Sequence, residues 1–291
     1  MPQSLGFAAL ILVTLIWGTT FVVIKDVLGS VSVPVLLALR FSLAGLLLVW
    51  VRPKTKSLRA GLILGVLIFL GYATQSIGLV TTTASKSGFI TGLSVILTPL
   101  LAGLWLRERV TTKIIVACLV ALAGLGFLSI RGEGAFGGLN SGDVWTLGTA
   151  FAYALYIIYL GEVARHHGIW ELSALQIWLV ALFAWVWAAP DLSAVTQIDL
   201  SSFLKIAYLA VFPTVVTSAL QTWGQRSVSA SVAALIFVLE PVFAATFAYI
   251  ILGESLGPVG LVGAGLVVSA MVLSQLRLGP RPTTVHHQQA D

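Results

Sequence analysis

Two ionisable side chains fall where a charge has no water to hold it. Glu240 lies about 11 residues into the apolar run 229–252, roughly 16 Å along a helix from its start. Arg40 sits inside the apolar run 32–51. A charge in hydrocarbon costs several kcal/mol unless it is paired, protonated or turned to a wet cavity. Glu240 could therefore form part of a substrate or proton site, or pair with Arg40 and share the cost of burial. The simpler roles are a cap on a kinked helix for Glu240, and for Arg40 snorkelling towards the nearer headgroups. Pro241 cannot donate to the Phe237 carbonyl, so the helix is expected to open beside the acid.

Uncharged groups accompany this pair. Gln75 and Gln221 each offer two donors and an acceptor, able to read polar groups of a ligand or to glue helices together. Trp17, Tyr72, Tyr153, Tyr156 and Trp223 supply aromatic surface, either as interfacial anchors or as walls of an apolar pocket. Pro99 and Pro213 interrupt the hydrogen bonding of two further runs, which is tolerated only where protein or a water-filled cavity satisfies the backbone. Lys86 opens a run and is expected to snorkel outward. Glu108 and Glu254 close runs and are expected to favour the N-terminus of the helix that follows. Gly61-x-x-x-Gly65 and Gly88-x-x-x-Gly92 allow close helix packing and leave a homo-oligomer open. No Gly-x-Ser-x-Gly elbow, His-x-x-x-His spacing or Walker loop occurs, so no catalytic residue, metal site or cofactor is expected. Cys118 is the only cysteine, which rules out a disulfide framework within one chain.

The elements positioning these residues must be membrane helices. The chain is 58% hydrophobic and only 9% charged over 291 residues, against roughly 25% charged in soluble domains. A spanning helix needs about 20 apolar residues, and ten runs qualify: 5–25, 32–51, 60–80, 84–106, 112–130, 142–162, 171–190, 203–223, 229–252 and 258–276. The runs are continuous rather than alternating, which excludes a barrel. The net charge of +5 comes from cations scattered in gaps between runs, not from a basic stripe, so a nucleic-acid partner is not expected. With the N-terminus cytoplasmic, inside gaps carry Arg52, Lys54, Lys56, Arg59, Arg107, Arg109, Lys113, Arg165, Arg226, Arg277 and Arg281. The outside gaps carry only Lys25, Lys86, Arg131 and Lys205. That asymmetry predicts both termini inside a plasma (inner) membrane, with the first run retained as a span.

The chain also repeats. Residues 59–130 recur at 205–276, offset by 146, so that Gln75, Ala84, Ser85 and Glu108 fall on Gln221, Ala230, Ser231 and Glu254. The first two spans repeat at an offset of 136, placing Arg40 opposite Gln176. The ten-residue difference is an insertion near Asp191–Asp199. Each unit holds five spans, an odd number, so the second copy must lie inverted, the arrangement of alternating-access transporters. The predicted fold is an all-α integral membrane protein of ten transmembrane helices in two inverted five-helix repeats. Residues 1–131 form the first repeat, 132–142 an external Gly-rich linker, 143–277 the second repeat, and 278–291 a disordered cytoplasmic tail. Glu240 falls opposite Ser94. Pro99 and Pro241 lie nine and thirteen residues before Glu108 and Glu254, which predicts that the two halves break unequally.

Ile16-Trp17-Gly18-Thr19-Thr20-Phe21 resembles the Trp-Gly-Ser-Asn-Phe motif opening the EamA-like branch of the drug/metabolite transporter superfamily. Gly88-Phe89-Ile90-Thr91-Gly92-Leu93, Gln221-Thr222-Trp223-Gly224-Gln225, Leu239-Glu240-Pro241-Val242-Phe243 and Leu252-Gly253-Glu254 resemble later segments of it. The resemblance covers 5–276 and implies a central cavity lined by spans one, three, four, six, eight and nine. It also implies export of small metabolites, often amino acids. The expected function is thus a secondary transporter, with the lipid bilayer and a small metabolite as partners. The alternatives are a membrane-embedded sensor or enzyme, or a scaffold subunit without flux of its own.

Overall fold

The computed structural model describes residues 3–105, 112–128, 130–131, 135–136, 139–228 and 230–275. Glu108, most of the linker glycines and the tail 278–291 lie outside the described residues. Spans one to three are single helices: α1 (Gln3–Val27), α2 (Val33–Leu47) and α3 (Thr55–Thr81). Span four is divided into α4 (Ala84–Gly92) and α5 (Ser94–Trp105), and span five is α6 (Thr112–Leu128). Spans six and seven are α7 (Ser141–Val163) and α8 (Ile169–Ala188). Span eight comprises α9 (Leu200–Ala210), a π-helical turn Val211–Val216 and α10 (Thr217–Gly224). Span nine is α11 (Ala230–Phe237) with α12 (Leu239–Leu252), and span ten is α13 (Gly257–Gln275). The protein is a ten-span helical membrane bundle of two five-span units. Among the described residues the only strands are a two-residue pair, Ile130–Arg131 and Ala135–Phe136, so the linker is partly paired. The predicted insertion is a 3₁₀ helix over Ala189–Gln197, tied back by Ser32, whose hydroxyl donates to Asp191 at 2.7 Å.

The break in span four does not follow its proline, whereas that in span nine opens beside Pro241, next to the Phe237 carbonyl that the proline leaves without a donor. Span four turns at Leu93, six residues before Pro99, which lies inside α5. Span nine turns at Val238, and Pro241 occupies the first turn of α12, where no intrahelical donor is needed. With the 146 offset, Leu93 corresponds to Leu239, one residue from that break. The halves therefore break at almost equivalent points, contrary to the asymmetry expected from proline spacing. Pro213 does mark an irregularity. The π turn surrounds it, and the Thr214 hydroxyl donates to Leu209 O at 2.7 Å, replacing the amide that proline lacks.

One end of the bundle carries the chain termini and the other the linker. At the linker end Gly253 adopts the left-handed conformation (φ 66°), and Glu254 N–H bonds back to Ala248 O, a Schellman stop. This aims the Glu254 carboxylate across the repeats at α4. There it accepts from the amides of Ala84 and Ser85, each at 3.0 Å, and from the Ser85 hydroxyl at 2.8 Å. Glu254 thus caps a helix of the other half, not the helix that follows it. Lys86 does not snorkel either: it pairs with the buried Asp143 at 2.6 Å. Asp143 also accepts from Thr82 and forms a capping box with Asn140. Lys205 pairs with Asp26, and Lys25 donates to the carbonyls of Leu79 and Thr82.

Both Gly-x-x-x-Gly pairs are used inside the chain. A Cβ on Gly61 would stand 2.4 Å from Leu175 of α8, and one on Gly65 2.8 Å from Leu179. A Cβ on Gly88 would stand 2.7 Å from Ala244 of α12, and one on Gly92 2.4 Å from Met271 of α13. The spacing that left a second copy open thus serves intramolecular contacts between the repeats.

Candidate functional site: a cavity between six spans

The cavity is built by helical spacing. Trp17, Thr20 and Phe21 project from one face of α1, and Ile68, Tyr72 and Gln75 from one face of α3. Tyr153, Tyr156 and Ile157 do the same on α7, in each case at intervals of three or four residues. Ser94, the first residue of α5, Gln221 of α10, Phe237 of α11 and Glu240 of α12 complete the lining. The six spans are one, three, four, six, eight and nine, and all seven residues picked out for ligand binding (Trp17, Tyr72, Gln75, Tyr153, Tyr156, Gln221 and Glu240) face this one space. Trp223 does not line it. The walls are mutually braced: Trp17 packs on Phe237 with ring centroids 5.4 Å apart, and Tyr72 meets Tyr153 edge-on at 6.1 Å.

Glu240 is the one charged residue of the lining. It is 7% exposed and has no hydrogen-bond or ion-pair partner among the described residues. It lies in the first turn of α12, the end of a helix whose dipole favours negative charge. Ser94, its repeat equivalent, faces the same space. The Gln221 side-chain nitrogen is buried without a partner, whereas Gln75 reaches Thr91 at 3.4 Å. The free volume is about 30 Å³, enough for roughly two waters and far below the ~300 Å³ or more of a metabolite site. In this conformation the cavity is closed around nothing larger than solvent.

Arg40 does not pair with Glu240. Its Nε donates to Thr214 Oγ1 at 2.8 Å and its Nη2 to Pro213 O at 3.3 Å, while its guanidinium lies 4.6 Å from the Tyr72 ring centre. The reason is lateral rather than depth: α2 packs against α3, α8 and α9, whereas α12 packs against α1 and α4. The π turn supplies the acceptors. Thr217 N–H bonds to Phe212 O and Thr214 O, leaving Pro213 O turned to Arg40. Arg40 is fully buried, and its Nη1 has no partner. Beside it a smaller chamber of about 20 Å³ shares Trp17, Ile68, Tyr72, Tyr156 and Gln221 with the main cavity. Gln176 lines this chamber and bridges Tyr156 to Ser218, at 2.9 and 2.7 Å.

The EamA-like transporter family matches the chain twice, over residues 4–130 and again over 140–276. The chain belongs to that family. Among EamA-like relatives, an uncharacterized transporter of Archaeoglobus fulgidus is 32% identical over 277 residues, covering 94% of this chain and 86% of its own. A protein of Salmonella typhimurium named a probable amino-acid metabolite efflux pump is 29% identical, with 94% and 95% covered. One of Streptantibioticus cattleyicolor named a probable terminal-alkyne amino-acid exporter is 24% identical, with 97% of each chain covered. A solved crystal structure shares the fold, with a TM-score of 0.69 at 16% identity over 94% of this chain and 97% of that one. The protein is a multi-pass membrane transporter.

Several lining residues of this EamA-like chain escaped sequence reasoning. Thr20, Phe21, Ile68 and Ile157 lie three or four residues from residues that were picked out, so helical periodicity applied outward from Trp17, Tyr72 and Tyr153 would have found them. Thr214 carried no comparable signal, because its position depends on the π turn.

Proposed function

We infer that this transporter is a secondary exporter of small amphipathic metabolites such as amino acids, working by alternating access through the six-span cavity. The observation that carries the reading is Glu240: a carboxylate without a partner among the described residues, enclosed by Trp17, Tyr72, Tyr153 and Tyr156 in a space shared by both repeats. An aromatic enclosure receives the apolar body of a solute, and the acid receives a cationic group or a proton. The cavity must widen for a metabolite to enter, and the breaks at Leu93 and Val238 provide hinges in equivalent spans of the two halves. The names of the Salmonella and Streptantibioticus relatives support amino-acid-like cargo.

The excess of Lys and Arg at the terminus end supports a cytoplasmic placement of both termini. Two of the four cations assigned to the other end are neutralised, Lys86 by Asp143 and Lys205 by Asp26. Purified protein in liposomes, screened by counterflow across amino acids, nucleosides and polyamines, tests the reading. Saturable exchange of at least one solute is expected, and Glu240→Ala should abolish it. No exchange of any solute would refute it.

A further inference from the structure

Arg40 is a buried cation lacking a counter-anion. Among the described residues no acid pairs with it, and its contacts are one hydroxyl, one carbonyl and two aromatic faces. Each of these bears only partial negative charge. The Thr214 hydroxyl is fully committed, since its proton goes to Leu209 O while its lone pair receives Arg40 Nε. Two donors remain unsatisfied in this region: Arg40 Nη1 and Gln221 Nε2, the latter 2% exposed and lining both the main cavity and the side chamber. Arg40 does not itself line the chamber: Thr214, Phe41 and Tyr72, three residues it rests against, form the wall between them. The deficit of negative charge on the Arg40 side mirrors the deficit of positive charge at Glu240. Tyr72 stands between them, lining both spaces with its ring beneath the guanidinium.

We propose that the side chamber beside Arg40 and Gln221 is an anion subsite that takes a carboxylate of the transported solute, while Glu240 takes its cationic group. This rests on the transporter reading above and narrows it: the cargo is a zwitterion with an apolar body lying among the aromatic walls. A solute bearing both charges completes both poles at once. One bearing a single charge leaves the other pole buried and uncompensated, and is rejected on that account. Admission of the carboxylate requires Tyr72 and Thr214 to separate, because the chamber holds about one water in the closed form.

The test uses full-length protein in detergent and a panel of apolar amino acids (leucine, valine and phenylalanine), each beside its decarboxylated amine. Binding is read by thermal shift and calorimetry, and transport of the zwitterions by counterflow. At least one zwitterion is expected to bind tenfold or more tighter than its amine. Arg40→Gln should erase that ratio by weakening the zwitterion and leaving the amine unchanged, and Arg40→Lys should restore part of it. Thr214→Val keeps the arginine and removes its anchor, so it should lower the ratio even where Arg40→Gln fails to fold. Equal binding of zwitterion and amine by the unaltered protein, or no binding of any zwitterion, overturns the proposal. An equal loss for both ligands in the Arg40 and Thr214 variants also overturns it. Counterflow of other solutes in those cases leaves the transporter reading standing, whereas absence of all flux removes that reading itself.

Discussion

Removing the Glu254 carboxylate tests how the linker end is held shut. The acid accepts two backbone amides at the start of α4 and one hydroxyl, and the donors belong to Ala84 and Ser85, which are 0% and 1% exposed. With the carboxylate gone, these amides lose their acceptor while the end stays closed. Loss of a helix cap costs about 0.5–2 kcal/mol, and a buried donor left unsatisfied about 1–3 kcal/mol. Glu254→Ala should therefore destabilise the closed end by about 2–4 kcal/mol. That multiplies the open population by about 30-fold or more. Glu254→Gln keeps an acceptor without the charge and should give about half of this energy. Ser87 is a suitable reporter, because it is buried one turn inside α4 and its hydroxyl has no partner. With Cys118 replaced by alanine and Ser87 by cysteine, labelling by a membrane-impermeant maleimide from the linker side should accelerate at least tenfold in Glu254→Ala. An unchanged labelling rate together with an unchanged thermal midpoint would refute the reasoning.

Three further outcomes are expected. Lys86→Met leaves Asp143 buried without its cation and should cost about 3–5 kcal/mol, read as a lowered thermal midpoint that Asp143→Asn largely recovers. Gly61→Val forces a side chain onto Leu175 and should destabilise the α3–α8 contact by about 1–3 kcal/mol or more, whereas Gly126→Ala, with open space at its Cβ, should be neutral. If Glu240 must be ionised to hold its cargo, transport falls as pH is lowered and the carboxylate protonates. The Glu240→Gln variant, fixed in the uncharged form, should lose transport at every pH, and retained transport with a preserved pH profile would remove the acid from cargo binding.

Much of this architecture is legible from hydropathy and the repeat, because lipid leaves the backbone so few solutions. Seven cavity residues could be picked out because a polar or aromatic residue at mid-span is costly unless it faces a protein space. Lateral arrangement is less legible. Arg40 and Glu240 both fall inside apolar runs, yet the sequence does not say which helices are neighbours: α2 packs on α3, α8 and α9, while α12 packs on α1 and α4. Glu254 shows the same blindness: sequence neighbourhood suggests that it serves α13, while its real partner lies 170 residues earlier. The break at Leu93 lacks proline, the usual sign, since a helix can turn wherever tertiary contacts take over the freed backbone groups.

The π turn at Val211–Val216 carries a consequence for the relation between the two halves. Residues 59–130 and 205–276 align without a gap, yet α3 runs as an uninterrupted α-helix where its counterpart contains the widened turn. A π turn accommodates about one extra residue, slipping the helical phase by roughly 100°. Gln75 and Gln221 can thus both face the cavity, while residues upstream of the slip, Arg59 and Lys205 among them, are rotated onto different faces. The two repeats are congruent as text and out of phase as objects. Under the alternating access proposed above, the form open to one side is no mirror image of the form open to the other, and the widened turn in one half leaves the two free to differ in energy.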